Sequence, residues 1–227
     1  MKTVNLTDNL IQLDRYRFVN AFLVREDDGF TLVDTTLGGA ADGLIAAAAT
    51  AGGEIRRIAL THGHSDHFGS VNALRAKLGT GVEVLMGEPD ARIHAGETVV
   101  EGKLRGSWPK QVATSPDTML HGGERIGSLE AIATPGHTPG HIAFLDTRDQ
   151  TLIAGDTFTT YWRTEIPNHL AQRFPLAAMG TQDGGQIVES ARRLRELDPA
   201  LLVAGHGPAV RSPAMAMDEA IRRGAGR

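Results

Sequence analysis

Six consecutive residues, His62-Gly63-His64-Ser65-Asp66-His67, place three imidazoles and a carboxylate within one short stretch. Nitrogen and oxygen donors of this kind suit borderline divalent metals such as zinc. The preceding segment, 55–61, reads as a β-strand. The following one, 68–78, carries Val71, Leu74 and Leu78 at helical spacing. The cluster therefore belongs on a strand-to-helix loop. On an extended backbone residues two apart share a face, which lets His62 and His64 address one metal ion. The turn into the helix swings Asp66 and His67 elsewhere, towards a second ion.

Three further segments could complete the set, each following an expected strand and each with a glycine ahead of the candidate donor. They are Thr134-Pro135-Gly136-His137, Ala154-Gly155-Asp156 and Ala204-Gly205-His206. Strand-end loops converge on one edge of a sheet, and glycine allows the tight turns that aim a side chain from there. The seven N/O donors His62, His64, Asp66, His67, His137, Asp156 and His206 exceed one tetrahedral zinc. They suit two ions that share a carboxylate. His141 reads either as a residue supporting these donors or as part of the reaction. Asp34, at the end of a strand in Leu32-Val33-Asp34-Thr35, is a candidate to hold the outer N–H of a donor histidine, with a plain turn residue as the alternative. His94, His121 and His169 have no donor context and read first as surface or pocket-rim residues.

The elements that must position these groups follow from apolar periodicity and turn residues. Strands are expected over 4–6, 10–13, 19–24 and 30–33, then a helix over 40–51 stopped by Gly52-Gly53. After the donor loop and its helix come a strand over 82–86 and a short helix over 89–94. Segment 96–117 is irregular, broken by Trp108-Pro109 and Ser115-Pro116, and reads as an insertion over the sheet. Strands are expected again over 124–126, 129–133, 142–145 and 151–154. A second irregular stretch spans 157–179. A helix over 182–197, a strand over 201–204 and a helix over 213–222 complete the chain. Strand-rich halves that each carry helices predict an α/β (α+β) fold, two packed sheets with helices outside, as one domain over 1–227.

Composition narrows the function. A formal net charge of −4 leaves no basic footprint for nucleic acid, and no stretch approaches transmembrane length. The N-terminal residues lack an apolar leader core, so the cytoplasm is the expected compartment. With no cysteine, disulfides, thiolate nucleophiles and sulfur ligands are excluded. No Gly-x-Ser-x-Gly elbow is present for a serine hydrolase. The oligomeric state stays open, a homodimer among the possibilities.

In the order His62-x-His64-x-Asp66-His67, then Pro135-Gly136-His137-Thr138-Pro139-Gly140-His141, then Gly155-Asp156, then Gly205-His206-Gly207, the chain resembles the metallo-β-lactamase superfamily. The resemblance implies an αββα sandwich of two mixed sheets flanked by helices. It implies two divalent ions, zinc foremost with iron or manganese as alternatives. It assigns His62, His64 and His137 to the first ion, Asp66, His67 and His206 to the second, and Asp156 to both. Asp66 would also orient the nucleophile and shuttle its proton, the one catalytic role assigned beyond ligation.

What this resemblance implies for activity is hydrolysis of an ester, lactone or thioester of a small molecule by a metal-bridging hydroxide. A carboxylate at 156 looks more like glutathione-thioester hydrolases and acyl-homoserine lactonases than like true β-lactamases. The chain ends about twenty residues after His206, without the helical region by which such thioester hydrolases hold glutathione, which argues against that substrate. Thr159 stands where the lactonases tend to have tyrosine, with Tyr161 two residues on. A mononuclear iron persulfide dioxygenase, using His62, His137 and Asp156, is the alternative in another reaction class. A non-catalytic member is disfavoured because no donor is missing. Tyr161, Trp162 and His169, with neighbouring aromatics, are the candidate substrate-binding residues. Ordinary packing of that loop is the competing explanation.

Overall fold

A computed structural model of the chain describes residues 1–170 and 174–226. Successive side chains of a strand point to opposite faces, and several strands here are apolar on both. In β3 (Val19–Glu26), Leu23 faces the helices while Phe22 and Val24 face a second sheet. In β10 (Ile142–Asp146), Ala143 and Leu145 point outwards while Ile142 and Phe144 point inwards. Strands buried on both faces require a layer on each side.

The first sheet runs in chain order: β1 (Lys2–Asn5), β2 (Leu10–Arg15), β3, β4 (Gly29–Val33), β5 (Ile55–Ala59), β6 (Glu83–Gly87) and β7 (Thr118–Leu120). It is antiparallel up to β4 and parallel from β4 to β7. The second sheet has the order β13 (Val210–Arg211), β12 (Leu201–Val203), β11 (Thr151–Ile153), β10, β9 (Leu129–Ala133), β8 (Arg125–Ile126). Only β11 and β12 are parallel there. Helices α1 (Ala41–Thr50), α3 (Val71–Leu78) and α4 (Glu88–His94) cover the first sheet. Helices α6 (Gly184–Glu196) and α7 (Ala214–Ala225) cover the second. The short α2 (Ser65–Phe68) and α5 (Pro175–Gly180) lie in the loops between. This is the expected αββα sandwich.

Four local features depart from the periodicity. The helix expected from residue 68 is two pieces, α2 and α3. They break at Gly69, where a Cβ would stand 2.5 Å from the Gly38 backbone nitrogen, so the loop from β4 occupies that space. The strands β7 and β13 and the helix α5 were not expected. With three, two and six residues, they are too short to show a period. The second irregular stretch includes 171–173, which lie outside the described residues. Among the described residues no helix is long and apolar enough to cross a membrane.

The sheets are tied at the edge where β4, β5, β9, β11 and β12 end. Ile142 donates its N–H to the Thr61 carbonyl at 2.7 Å, and Asn20 donates its N–H to the Gly205 carbonyl at 2.8 Å. The Asn20 side-chain amide reaches the carbonyls of Ala204 at 2.9 Å and Gly207 at 2.8 Å. Phe144, fully buried between the sheets, tests how far this edge depends on the core. Phe144→Ala is expected to cost about 3–5 kcal/mol in equilibrium urea unfolding. A loss below about 1 kcal/mol would mean that the inter-sheet layer does not hold the sandwich together.

Candidate metal centre

Each candidate donor sits just past a strand end at the tied edge. His62 and His64 follow β5, with Asp66 and His67 in α2, while His137 follows β9, Asp156 follows β11 and His206 follows β12. Two glycines allow the approach. Gly155 takes φ +51°, and a Cβ on Gly205 would lie 2.4 Å from Asp156 Oδ1 and 2.4 Å from His67 Cε1.

The donors gather into overlapping groups whose atoms lie within 4.8 Å of one another: His62, His64 and His137; His62, His67 and Asp156; Asp66, His67 and His206. Asp156 stands between them. Its Oδ1 is 3.6 Å from His67 Nε2, and its Oδ2 is 3.5 Å from His137 Nε2 and 3.3 Å from His206 Nε2. Asp66 Oδ2 is 3.4 Å from His206 Nε2. The five rings and Asp156 are buried, and the Asp66 side chain is 25 % exposed.

Hydrogen bonds on the far side of each ring decide which nitrogen faces the centre. His67 Nδ1–H donates to Asp34 Oδ2 at 2.7 Å. The Thr61 hydroxyl also donates to Asp34 Oδ2, at 2.8 Å, so its oxygen accepts from His62 Nδ1 at 3.0 Å. The Thr181 hydroxyl donates to the Pro167 carbonyl and accepts from His137 Nδ1 at 3.0 Å. His206 Nδ1–H donates to the Phe18 carbonyl at 2.6 Å, and His64 Nε2–H to the Arg105 carbonyl at 3.3 Å. In every case the remaining nitrogen points inwards, where it offers a lone pair whenever the ring is neutral.

Two consequences show that the residues fit a cation. His64 Nδ1 and His137 Nε2 face each other at 3.1 Å, both as acceptors. That contact is repulsive unless a positive charge lies between them. Two nitrogens on one tetrahedral zinc with Zn–N of about 2.0–2.1 Å lie about 3.4 Å apart. Moreover, His62 Nε2, His67 Nε2 and Asp156 Oδ1 are buried with no hydrogen-bond partner, an uncompensated cost that metal ligation removes.

The electrostatics agree. Burial pushes the His62 and His137 pKa values well down and takes His64 to about 4, so these rings are neutral. Burial opposes charge on His67 as well, yet Asp34, Asp156 and Asp66 lift it to about 9. His206, likewise buried, is raised by Asp156 and Asp66. Burial alone would raise the Asp156 pKa, but His206 and His67 beside it hold the carboxyl well below the usual range. The centre thus carries an excess of carboxylate that draws positive charge in.

Asp34 is the residue behind His67 and Thr61, accepting also from the Thr61 N–H at 2.8 Å. It takes φ +60°, a left-handed conformation that Asp tolerates better than most residues. His141 lies behind Asp156. Its Nε2 accepts the Asp156 N–H at 3.0 Å, and its Nδ1 donates to Thr134 Oγ1 at 2.8 Å.

Above the centre opens a cleft of about 410 Å³. Its floor is formed by His64, Asp66, His137, Asp156 and His206, and its walls include Phe18, Leu37, Phe174, Leu176, Ala177 and Met179. Tyr161, Trp162 and His169 do not line it. Tyr161 stacks behind Phe174 at 4.9 Å, Trp162 is 65 % exposed, and His169 pairs with Asn168 at 2.9 Å. Phe174, one of the aromatics neighbouring these residues in the chain, does line the cleft, while the rest of the wall went unmarked in the sequence. The α5 apolar residues had no period to mark them, and Phe18 and Leu37 sit in turns.

The metallo-beta-lactamase superfamily model matches residues 14–206. The chain belongs to the metallo-β-lactamase superfamily. Relatives named as metallo-hydrolase and hydroxyacylglutathione hydrolase support a hydrolase. The chain is 39% identical over 210 residues to the uncharacterized protein YobT of Bacillus subtilis (strain 168), covering 90% of each chain. It is 34% identical over 206 residues to a hydroxyacylglutathione hydrolase of Rhodospirillum rubrum, covering 88% of this chain and 63% of that protein. Among solved structures, TTHA1623 in a di-iron-bound form superposes with a TM-score of 0.65 at 25% identity, over 95% of this chain and 97% of that one. A metallo-beta-lactamase from Pontibacter korlensis gives a TM-score of 0.74 at 16% identity, over 100% and 99%, and shares the fold.

Asp34→Asn would put an amide N–H against His67 Nδ1–H or the Thr61 donors. Metal affinity is expected to fall about 10–100-fold in chelator competition. Unchanged affinity in a folded variant would remove Asp34 from the support of the centre.

Proposed function

We propose that this metallo-β-lactamase-fold chain holds two divalent ions, zinc first among them, and hydrolyses an ester, lactone or thioester of a small, apolar molecule. The observation that carries the reading is the double donor set. His62, His64 and His137 form one buried group, Asp66, His67 and His206 another, and Asp156 stands within reach of both. Two bound cations would make hydroxide available near neutral pH and polarise the scissile carbonyl.

The protein's own groups supply the rest. Asp66 is the one donor carboxylate that is both partly exposed and on the cleft floor, so it can orient the nucleophile and hold the proton passed to the leaving group. Asp156 is buried, and its N–H is held by His141. The walls offer apolar surface for an acyl group to contact. Among the described residues that line the cleft there is no lysine or arginine. A neutral acyl group, as in an apolar lactone or ester, suits apolar walls of this kind.

Metal content per chain, measured by elemental mass spectrometry on protein purified without chelator, is expected near two equivalents. Near one equivalent of iron would favour the dioxygenase alternative on His62, His137 and Asp156. Asp66→Asn is expected to lower kcat by about 10²–10⁴-fold, the usual worth of a proton-transfer group. Across esters of rising acyl length, kcat/KM should climb up to about fourfold per added methylene, from about 0.8 kcal/mol per buried CH₂. Leu176→Asp should flatten that slope. A flat slope in the unmodified protein would sink the apolar-acyl reading.

A further inference from the structure

Two residues outside the donor set grip it from behind, and both belong to α4. Asp90 and His94 are four apart, on one face of the helix. Asp90 is fully buried and does not cap its own helix. Its Oδ2 accepts the Gly63 N–H at 2.8 Å and the Thr138 hydroxyl at 2.7 Å, and its Oδ1 accepts the Gly140 N–H at 2.7 Å. His94 Nε2–H donates to the Gly63 carbonyl at 2.8 Å. Gly63, between His62 and His64, is therefore held at both its N–H and its carbonyl by one helix. Thr138 follows His137 directly.

We propose that α4 is the positioning device of the first donor group, with Asp90 and His94 setting the spacing of His62 and His64 against His137. The proposal rests on those three histidines sharing one cation. Three donors on one carboxylate make a stiff junction, because charge-assisted hydrogen bonds are short and strong and each partner is withdrawn from water. The junction joins two loops whose backbones also meet at the Ile142 N–H to Thr61 carbonyl bond. On the β5 side it holds Gly63, and on the β9 side Thr138 and Gly140. Space is equally determined. A Cβ on Gly63 would stand 2.4 Å from the Trp108 ring and 2.9 Å from His94 Nε2, and one on Gly140 would stand 2.5 Å from the Asp90 nitrogen. Phe68 and Trp108 meet the His94 ring edge-on at 4.4 Å and 5.6 Å, fixing its tilt.

The test measures Zn²⁺ affinity of the full chain by chelator competition, alongside circular dichroism and thermal unfolding of the metal-free protein. Asp90→Asn keeps the shape but aims an amide at a donor. It is expected to weaken one of two zinc equivalents about 10–100-fold and leave the other. His94→Phe should give a smaller loss in the same equivalent. His94→Gln, whose amide can still donate to the Gly63 carbonyl, should restore it. A residue that only stabilised the fold would lower the unfolding temperature and leave both affinities alone. That result in folded Asp90→Asn overturns the proposal. If Asp90→Asn does not fold, His94→Phe with its Gln rescue and Thr138→Val, which removes a single bond to Asp90, carry the same test. If the unmodified chain binds one equivalent, the two-ion reading fails by itself. The positioning role then stands if these variants weaken that equivalent and falls if they do not.

Discussion

Five imidazole rings withdrawn from water at one edge of a sandwich must each keep one chosen nitrogen bare. A neutral imidazole has one donor and one acceptor, so the choice is made by whatever accepts the outer N–H. Here five different groups do so: Thr61 Oγ1, the Arg105 carbonyl, Asp34, Thr181 Oγ1 and the Phe18 carbonyl. They come from a strand end, the insertion before β7, the turn after β4, the residue after α5 and the turn before β3. Loops without any periodic pattern are therefore as necessary to the centre as the strands. They fix tautomers that the donor residues cannot fix for themselves.

The same loops build the cleft. Phe18 gives its carbonyl to His206 and its ring to the wall. Gly106 and Ser107 line the wall directly after Arg105, whose carbonyl holds His64. Met179 and Gly180 line it directly before Thr181, which holds His137. Donor geometry and substrate shape are thus linked through single residues. A loop that moves to accommodate a different ligand in the cleft also moves the acceptor of a donor histidine. This linkage restricts how far the wall can vary while the centre keeps its lone pairs aligned.

Charge imposes a second constraint. Asp34, Asp66 and Asp156 lie among rings of which burial keeps three neutral. Without a cation, His67 and His206 must carry the compensating protons, despite being buried. Replacing those protons with metal removes the repulsion between facing nitrogens and satisfies the orphaned atoms together. A bound cation would relieve His67 and His206 of those buried protons.

Much of this was legible in the chain itself. The His-x-His-x-Asp-His run, the three glycine-led donors and the order of strands and helices are local patterns. Backbone periodicity and turn chemistry express them within a few residues. That is why the sandwich is legible in the chain, and with it the set of side chains that gather at its edge. What tertiary structure alone decided were contacts between residues distant in sequence. Asp90 shows no pattern that sets it apart, and its partners Gly63, Thr138 and Gly140 lie 27, 48 and 50 residues away. His94 looked like a rim residue and instead holds the Gly63 carbonyl. Tyr161 looked like a pocket residue and instead backs Phe174. A hydrogen bond or a ring contact across such distances depends on where two loops meet after the sheets pack, and no period in the chain encodes that meeting.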